Sequence, residues 1–360
     1  MNRKKPVIAM DLAVNGHGGG PFTSTTRIMD SKLKHEFDFK TINYDTNIGR
    51  SISLKRILDL KKQIEKIEPD IVHFTGLQLS GFHIAVACKL AGVKKTVITI
   101  RGMSGDSVYF NPLKKIILKY FIEPMTLALV DRFYCVSEYV SKRGIAKIFR
   151  SKNRGCIYNY PPVIEECNDR LLKREKLGIS EEDFVVVSVA RINKEKGYDY
   201  LESAIKKMSD YKSLKFIIVG DGSYKCEMER NLTPQVKDRK VIFTGKVNNV
   251  SYYNFISDAF VLPTLHETLS VALLEASCAK IPLVASNTGG IPEIVEDNWN
   301  GFLVPIKCSD SIVNAIMRLY ENRELSRVFG ERAYKKIEDK FDSDNISLKI
   351  SKVYRELLEL

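Results

Sequence analysis

Residues 265–295, LHETLSVALLEASCAKIPLVASNTGGIPEIV, contain the helix and the strand that decide the fold. The stretch SVALLEASCAK (270–280) is mostly small and apolar and predicts a buried helix, and PLVAS (282–286) predicts a buried strand. Two glutamates stand eight positions apart, Glu267 before the predicted helix and Glu275 within it. A buried helix beside a continuous apolar strand is typical of a parallel sheet covered on both faces. The segment therefore predicts an α/β fold with two carboxylates at the border of its core.

The same alternation of apolar strands and helical patterns extends over most of the chain. Predicted strands in the first half are PVIAMDL, DIVHF, KTVITI and RFYCV, and those in the second half are FVVVSVA, LKFIIVG, KVIFTG, AFVLP and PLVAS. Helical patterns such as 53–67 and 198–208 lie between them. The alternation restarts after Pro161 and Pro162, in a charged stretch typical of a linker. We predict two doubly wound, Rossmann-like domains facing across a cleft, over 1–165 and 166–340, and a final amphipathic helix over 341–360 that can return to the N-terminal domain.

Composition narrows the class of protein. The apolar run Val7–Met10 is too short for a signal peptide, and no apolar stretch approaches the ~18–20 residues that cross a bilayer. Seven cysteines without a CxxC pair indicate reduced thiols, so we expect a cytoplasmic protein.

The formal net charge is +12, and the whole excess lies in residues 1–160. This half is expected to face an anionic membrane, a nucleic acid or an anionic substrate, unless it is simply a solvated basic surface.

Glycines follow the first predicted strand in NGHGGGPFTSTTRIM (15–29). Gly16, Gly18, Gly19 and Gly20 permit close backbone approach, and a helix is predicted to begin near Thr23–Thr26. Amides at a helix N-terminus favour an anion. The spacing is not G-x-G-x-x-G, so the loop indicates an anion site without indicating a dinucleotide, and a flexible turn remains the alternative.

A basic loop follows the first strand of the second half, in ARINKEKGYDYL (190–201). The planar guanidinium of Arg191 and the mobile ammonium of Lys196 suit two linked phosphates. Ligands of doubly wound sheets bind at the carboxyl ends of the strands, which is where this loop is predicted to lie.

The two glutamates have a corresponding interpretation. Glu267 is predicted in the loop before the helix, and the amides of Thr268, Leu269 and Ser270 are predicted in the first helical turn, facing a phosphate. Glu275 would then accept hydrogen bonds from vicinal hydroxyls, for which a ribose diol is suitable. The alternative is that Glu267 caps the helix and Glu275 is an ordinary helical residue.

Five motifs occur in a fixed order: ARINKEKG, LKFIIVGDGS, VIFTGKV, the stretch PTLHETLSVALLEASCAKIPLVASNTGGIPEIV, and NGFLV. Together they resemble the donor domain of the retaining glycosyltransferase family 4, which has the GT-B fold. The resemblance implies transfer of a sugar from a nucleotide diphosphate sugar, with a UDP-sugar favoured and with retention at the anomeric carbon. By matching position it implies that Arg191 and Lys196 hold the diphosphate, Glu267 faces the donor sugar and Glu275 the ribose. Gly245–Val247 would border the base, and the remaining predicted donor-binding residues are Gly19, Gly20 and Gly220.

The chain departs from the family pattern at several positions. Leu269 and Ser270 stand where the family often has an aromatic residue and a glycine, and Lys280 stands where it commonly has a glycine. The strand KTVITI runs into RGMSGDS, as in a subgroup of bacterial surface-polysaccharide transferases. Arg101 thus replaces a histidine and becomes a candidate for a phosphate or acceptor contact, with His73 and His83 as alternatives.

We expect no metal cofactor. The D-x-D at 342–344 lies beside the final helix, where capping is the favoured role, and Arg191 and Lys196 can stabilise the leaving diphosphate instead. The resemblance implies a reaction without an enzymic nucleophile, in which the leaving phosphate accepts the acceptor's proton on the face of attack. Glu267, Arg191 and Lys196 are therefore the predicted catalytic residues.

The basic half contains NPLKKIILKYFIEP (111–124), which predicts an apolar helical face edged with Lys114, Lys115 and Lys119. Such a helix can lie in a membrane interface, or its apolar face can pack on the domain's own sheet. We predict transfer to a glycan or lipid-linked acceptor in cell-surface polysaccharide (lipopolysaccharide or capsule) synthesis, at the inner face of the membrane. A nucleotide-sugar epimerase is the alternative. A nucleic-acid partner is not expected, because the basic runs lack interleaved aromatic residues.

Overall fold

The computed structural model describes residues 5–13, 19–44, 51–106, 111–163 and 169–360. The chain forms two compact units. The first consists of Met1–Tyr160 and Phe341–Leu360, and the second of Pro161–Lys340. Within the described ranges no helix combines the length and apolarity needed to span a membrane.

The first unit is built on a six-stranded parallel sheet in the order β2-β1-β3-β4-β5-β6. The strands are β1 (Val7–Ala13), β2 (Asp38–Tyr44), β3 (Ile71–Thr75), β4 (Thr96–Ile100), β5 (Arg132–Cys135) and β6 (Asn153–Cys156). The chain moves outward from β1 to β2 and then continues on the other side of β1 with β3. The strand order therefore reverses between β1 and β3, and side chains at their carboxyl ends lie at the usual ligand position of a doubly wound sheet.

The second unit has a parallel sheet of the same size, in the order β12-β11-β10-β7-β8-β9. Its strands are β7 (Phe184–Val189), β8 (Leu214–Val219), β9 (Val241–Gly245), β10 (Ala259–Leu262), β11 (Leu283–Ser286) and β12 (Gly301–Val304). Here the order reverses between β7 and β10. The predicted α/β class with two doubly wound sheets is confirmed.

Helices cover the faces of both sheets. The helices of the first unit are α1 (Gly20–Asp30), α2 (Leu54–Ile67), α3 (Leu79–Leu90), α4 (Pro112–Ile117), α5 (Glu123–Leu129), α6 (Glu138–Ser141) and α7 (Gly144–Ile148). Those of the second are α8 (Arg170–Glu175), α9 (Tyr198–Lys207), α10 (Lys225–Asn231), α11 (Thr233–Lys237), α12 (Val250–Phe255), α13 (Val271–Cys278), α14 (Ser309–Glu321) and α15 (Arg323–Lys340). The last helix, α16 (Ser343–Leu358), belongs to the first unit.

Helix α1 begins earlier than the sequence predicts. It starts at Gly20, and Thr23–Thr26 lie inside it. Pro21 stands in the first turn, where its missing N–H has no intrahelical partner to lose and its fixed φ is already helical. The carbonyl of Gly19 accepts the first bond, from the N–H of Thr23 at 3.0 Å.

Helix α16 packs against the sheet of the first unit through an apolar face. Ile346, Ile350, Val353 and Tyr354 join the core that contains β1 residues such as Met10. The hydroxyl of Tyr354 lies 2.6 Å from Nδ1 of His73, inside that core.

The helix predicted over 111–124 forms, but it contains a π turn. Helix α4 ends at Ile117, a π-helical turn follows over Leu118–Ile122, and α5 begins at Glu123. Pro124 stands in the first turn of α5 and lacks an N–H, so a regular α-helical ladder cannot pass through it. The π turn lies directly before this position, and the helical run continues from it into α5.

Candidate active site

The loops after β7 and β10 lie side by side, since these strands are neighbours at the reversal point of the second sheet. The N–H of Leu265 donates to the carbonyl of Glu195 at 2.9 Å. Gly197 has φ +72°, and a Cβ there would lie 1.8 Å from the carbonyl oxygen of Pro263. Only glycine permits this approach, which fixes the loop that carries Lys196 against the loop that carries Glu267.

Two predicted catalytic residues form an ion pair at this junction. The Nζ of Lys196 lies 2.7 Å from Oε2 of Glu267, and the two side chains are only 17% and 16% exposed. The other carboxylate oxygen, Oε1, accepts from the N–H of Thr268 at 3.1 Å. Burial raises the pKa of Glu267, but the Lys196 ammonium and the Thr268 N–H outweigh burial and hold that pKa below its usual value. The carboxylate is therefore ionised and fixed in position at neutral pH.

The backbone of Glu267 has a second support that the sequence analysis missed. The N–H of Gly290 donates to the Glu267 carbonyl at 3.2 Å. At Gly289, φ is +59°, and a Cβ would lie 1.7 Å from that same carbonyl oxygen. The sequence feature that could have predicted this contact is Thr-Gly-Gly at 288–290, shortly after β11. Consecutive glycines allow another backbone segment to approach closely.

The prediction that the amides of Thr268, Leu269 and Ser270 form the first turn of the helix is wrong. Helix α13 begins at Val271, so Thr268 and Leu269 precede it, and Ser270 is its N-cap. The Oγ of Ser270 accepts from the N–H of Leu273 at 3.2 Å, and the Leu269 side chain is buried. The Thr268 amide is engaged by Glu267, because the carboxylate lies within reach one residue before it. Glu275 lies in the second turn of α13 and is partly buried.

The other predicted donor residues lie at neighbouring strand ends. Arg191 is exposed directly after β7. The N–H of Gly220 donates to the carbonyl of Gly245 at 2.9 Å, which joins the ends of β8 and β9. Gly220 has φ +137°, and a Cβ there would lie 2.0 Å from the Ala190 carbonyl oxygen. Val247 follows in the partly exposed segment after β9.

Lys280, where the resemblance predicts glycine, has a left-handed backbone with φ +57°. Its carbonyl oxygen would lie 2.0 Å from a Cβ added at Gly330. The Lys280 ammonium pairs with Glu331 at 3.1 Å. A left-handed residue after a helix explains the family's preference for glycine at this position.

In the first unit, Gly19 and Gly20 are exposed at the N-terminus of α1, and Gly16 and Gly18 lie outside the described residues. Arg101 follows β4 and is partly exposed, and its Nη1 donates to Oδ1 of Asn159 at 2.8 Å. In the same sheet, Asp11 on β1 accepts from the hydroxyl of Thr75 at the end of β3 at 3.0 Å, and neither residue was predicted from the sequence.

The two alternative histidines are buried. The ring nitrogens of His73 contact the hydroxyls of Tyr354 at 2.6 Å and Thr99 at 2.7 Å. Burial lowers the pKa of His73 to about 3, so the ring is neutral. The Nε2 of His83 accepts from the N–H of Ser53 at 3.0 Å. Both are thus placed as structural residues.

The D-x-D at 342–344 caps a helix. The carboxylate of Asp342 accepts from the N–H groups of Asp344 and Asn345 at the start of α16, and Asp344 pairs with Lys32 at 2.6 Å. Across the described ranges, no three His, Cys, Asp or Glu side chains lie close enough together to hold a metal ion.

The segment around α4 exposes its apolar face. Leu118 and Ile122 turn inward and pack with Phe82. The residues that point outward are Leu113, Ile116, Ile117, Tyr120, Phe121 and Met125, each 45–65% exposed. Lys119 is exposed among them, and Lys114 and Lys115 are partly exposed at their edge. This set of six apolar residues and three lysines is called the α4 surface below.

Comparisons with known proteins agree with this architecture. Residues 169–336 match the family described as "Glycosyl transferases group 1", and residues 20–159 match "Glycosyltransferase Family 4". The UDP-Gal:alpha-D-GlcNAc-diphosphoundecaprenol alpha-1,3-galactosyltransferase of Escherichia coli is 28% identical over 319 residues, covering 85% of this chain and 80% of that protein. The N-acetyl-alpha-D-glucosaminyl L-malate synthase of Bacillus anthracis is 30% identical over 271 residues, covering 73% and 68%.

Structural similarity extends over both units. The Anabaena HepE protein, in complex with UDP and glucose, has a TM-score of 0.78 at 18% identity, covering 98% of this chain and 100% of HepE. The fold and the matched families define a nucleotide-sugar glycosyltransferase with the GT-B fold. The chain belongs to glycosyltransferase family 4, a retaining family, as its motifs predicted.

Proposed function

We propose that this chain transfers a hexosyl group from a UDP-sugar to a lipid-linked glycan in cell-surface polysaccharide synthesis, at an anionic membrane surface. The α4 surface carries the proposal, because exposed apolar residues beside lysines suit an interface of acyl chains and anionic headgroups. A relative whose name specifies a diphosphoundecaprenol acceptor supports it.

The donor half of the reaction is assigned to the second unit. Arg191 and Lys196 hold the diphosphate, Glu267 contacts the donor sugar and Glu275 the ribose. As the bond from the anomeric carbon to the diphosphate oxygen breaks, negative charge develops on that oxygen and the two cations stabilise it. The acceptor oxygen bonds to the same face of the anomeric carbon, and its proton passes to the departing phosphate. No metal is required in this scheme.

The Lys196–Glu267 pair gives the scheme a physical basis. A lysine aimed at a diphosphate without a partner would be free to adopt other rotamers. Here Glu267 restrains its ammonium to one place, 2.7 Å from the carboxylate. The sugar-binding carboxylate and the phosphate-binding ammonium are thus positioned together before the donor arrives, which lowers the entropy lost on binding.

The test is a transfer assay with UDP-hexoses and an α-N-acetylglucosaminyl diphosphate carried on a long alkyl chain. UDP release should match acceptor consumption, the new linkage should keep the donor's anomeric configuration, and EDTA should leave turnover intact. Lys196→Ala should lower kcat about 100- to 1,000-fold, as for the loss of one charge-stabilising donor. The matched control is Lys194→Ala, an exposed lysine of the same loop that pairs weakly with Glu227 at 3.9 Å.

Two outcomes would contradict the proposal. Conversion of the UDP-sugar without a second molecule would indicate an epimerase. Complete loss of turnover in EDTA, restored by manganese or magnesium, would show that a metal stabilises the diphosphate.

A further inference from the structure

A buried carboxylate lies on the inner side of the segment that carries the α4 surface. Glu123 is the first residue of α5 and is only 1% exposed, although its helical neighbours Leu118 and Ile122 pack against apolar Phe82. Its Oε1 accepts from the N–H of Ser104 at 2.5 Å. An apolar residue would fill this position at lower cost, because a buried carboxylate loses its hydration. The reason for a carboxylate here therefore lies in the loop that it holds.

Ser104 belongs to the loop over residues 101–106, which follows β4 and is called the β4 loop below. The loop begins with Arg101, the candidate contact for the acceptor, and ends in the short turn Ser104–Asp106. Because β4 is an inner strand of the first sheet, this loop lies at the carboxyl edge, where ligands of doubly wound sheets bind. Glu123 thus connects the segment of the α4 surface to a loop at the expected ligand edge.

Two further contacts hold the β4 loop. A Cβ added at Gly105 would lie 3.8 Å from Cδ of Lys119, so the stem of this lysine of the α4 surface lies against the loop. Asp106, with a side chain only 6% exposed, forms an ion pair with Arg143 between α6 and α7. Three side chains therefore fix the β4 loop, and two of them belong to the segment that carries the α4 surface.

This segment has two faces with different surroundings. Tyr120 and Phe121 are each 60% exposed, whereas Glu123, two residues further, reaches the β4 loop. A membrane on the outer face would restrict the motion of the segment. A hydrogen bond shielded from water is stronger than an exposed one, so the Glu123–Ser104 bond can pass that restriction to the loop. A loop that is ordered in advance loses less entropy when its ligand binds.

We propose that Glu123 is a positioning residue that couples the α4 surface to the β4 loop, so that contact of the α4 surface with an anionic membrane tightens acceptor binding at the loop. The proposal rests on the proposed function and adds regulation to it, because the enzyme then uses its acceptor best while it lies on the membrane. Glu123 acts through Ser104 and contacts no substrate in this scheme.

The first experiment needs no transfer. Hydrogen–deuterium exchange of the amides at 102–106 is measured without vesicles, with phosphatidylglycerol vesicles and with neutral phosphatidylcholine vesicles. In the wild type, phosphatidylglycerol should slow this exchange at least about 5-fold, the lower end of typical coupling between two sites, and phosphatidylcholine should not. Glu123→Met removes the acceptor at similar volume and should abolish the effect. Glu123→Gln keeps an acceptor oxygen and should retain it.

The matched control is Asp131→Leu. The carboxylate of Asp131 accepts from the N–H of Thr96 at 2.9 Å, at the start of β4 and thus at the opposite end of the same strand. Its loss should lower the melting temperature and leave the vesicle effect in place. If Glu123→Met does not fold, Glu123→Asp takes its place, because it keeps the charge but is too short to hold Ser104. It should also lose the vesicle effect.

The second experiment measures the KM and kcat for α-N-acetylglucosaminyl diphosphate on a short alkyl chain that stays in solution, with UDP-hexose saturating. In the wild type, phosphatidylglycerol vesicles should lower this KM at least about 5-fold and change kcat little. The vesicles repel the anionic acceptor, so a lower KM cannot arise from its concentration on the membrane. In Glu123→Met the KM should stay at the vesicle-free value of the wild type, with UDP affinity unchanged.

The outcomes separate this proposal from the proposed function. A wild type that sediments with phosphatidylglycerol vesicles while its exchange and KM stay unchanged would overturn the coupling and leave the membrane surface intact. A vesicle effect retained in both Glu123→Met and Glu123→Asp would overturn the role of Glu123. A wild type that does not bind the vesicles at all would contradict the proposed membrane surface and the coupling together.

Discussion

At the scale of single residues, the Lys196–Glu267 contact is the feature on which the site depends. The two residues are 71 positions apart and meet because glycines at 197 and 289 let three loops touch. Each residue was predicted as a site residue from the sequence. Their contact was not, because no local pattern records which loops of a sheet edge are close enough to pair.

The two glutamates are predicted to separate donor binding from transfer. Glu275→Gln should weaken UDP affinity about 10- to 100-fold, because hydrogen bonds to a charged acceptor contribute about 1.5–3 kcal/mol. Glu267→Gln should change UDP affinity little, because UDP lacks the sugar and glutamine keeps an oxygen that can accept from Lys196. It should lower kcat about 100-fold, because the charged contact to the donor sugar is lost. Calorimetry with UDP and initial rates with UDP-hexose measure the two effects.

The matched control for this pair is Glu324→Gln, an exposed glutamate in the first turn of α15 that pairs with Arg327 at 2.7 Å. It should affect neither quantity. Equal losses of UDP affinity in Glu267→Gln and Glu275→Gln would contradict the division of roles.

At the scale of elements, the sequence predicted nine strands and missed β2, β6 and β12. All three are edge strands of their sheets. An edge strand is bordered by a neighbour on one side only, so it tolerates polar and small residues, as in DFKTINY and NRGC. Apolar runs therefore identify the inner strands and the edge strand β9, whereas β2 and β6 lack such runs and β12, although apolar, has only four residues. The π turn at Leu118–Ile122 was missed for a different reason, because its apolar periodicity resembles that of an α-helix.

The α4 surface is predicted to bind anionic membranes. Changing Lys114, Lys115 and Lys119 to Glu should weaken binding to anionic vesicles at least about 100-fold, because each basic residue contributes about 1 kcal/mol near such a surface. Wild-type binding should weaken at high salt, since the Debye length falls from ~10 Å at 0.1 M to ~3 Å at 1 M. Cosedimentation with anionic and neutral vesicles at both salt concentrations is the measurement.

The control makes the same change of charge elsewhere in the first unit. Lys55, Lys62 and Lys66 are exposed on α2, where the exposed large apolar residues are Leu54 and Leu58 against six in the α4 surface, and changing them to Glu should reduce pelleting less. If both triple variants lose binding equally, the attraction belongs to the net charge of the unit and not to the α4 surface.

At the scale of the whole molecule, the fold is two units with separate cores. Each has its own six-stranded sheet, and α16 completes the first by covering the face that includes His73. The contact between Tyr354 and His73 provides a way to measure the stability of the first unit by itself.

Acid is predicted to destabilise the first unit through His73. Its folded pKa is about 3, below the usual 6.5, so its contribution is complete above pH 6.5 and is lost as the pH falls toward 3. Relative to His73→Gln, the wild type should lose about 2 kcal/mol of unfolding free energy between pH 7 and pH 5. The variant is the necessary reference because of Asp11. Its pKa is raised to about 6 in the folded state, so its protonation as the pH falls favours the folded state and opposes the effect of His73.

The chain's single tryptophan provides an internal control for that experiment. Trp299 lies in the second unit, so its fluorescence should report an unfolding transition that His73→Gln leaves unchanged. Circular dichroism reports both units. A shift of the Trp299 transition in the variant would show that the two units do not unfold independently.

The placement of α16 has a consequence for how the protein is made. The second unit is a continuous run between Tyr160 and Phe341, so a ribosome must translate all of it before the first unit receives its last helix. At about 5–20 residues per second, the nascent first unit waits roughly 10–35 s with the apolar surface under Ile346 and Ile350 uncovered. During that time the second unit can already fold. A chain that stops after residue 340 would therefore contain the whole second unit, whereas its first unit would expose the apolar surface that α16 covers and would be bound by chaperones and cut by proteases.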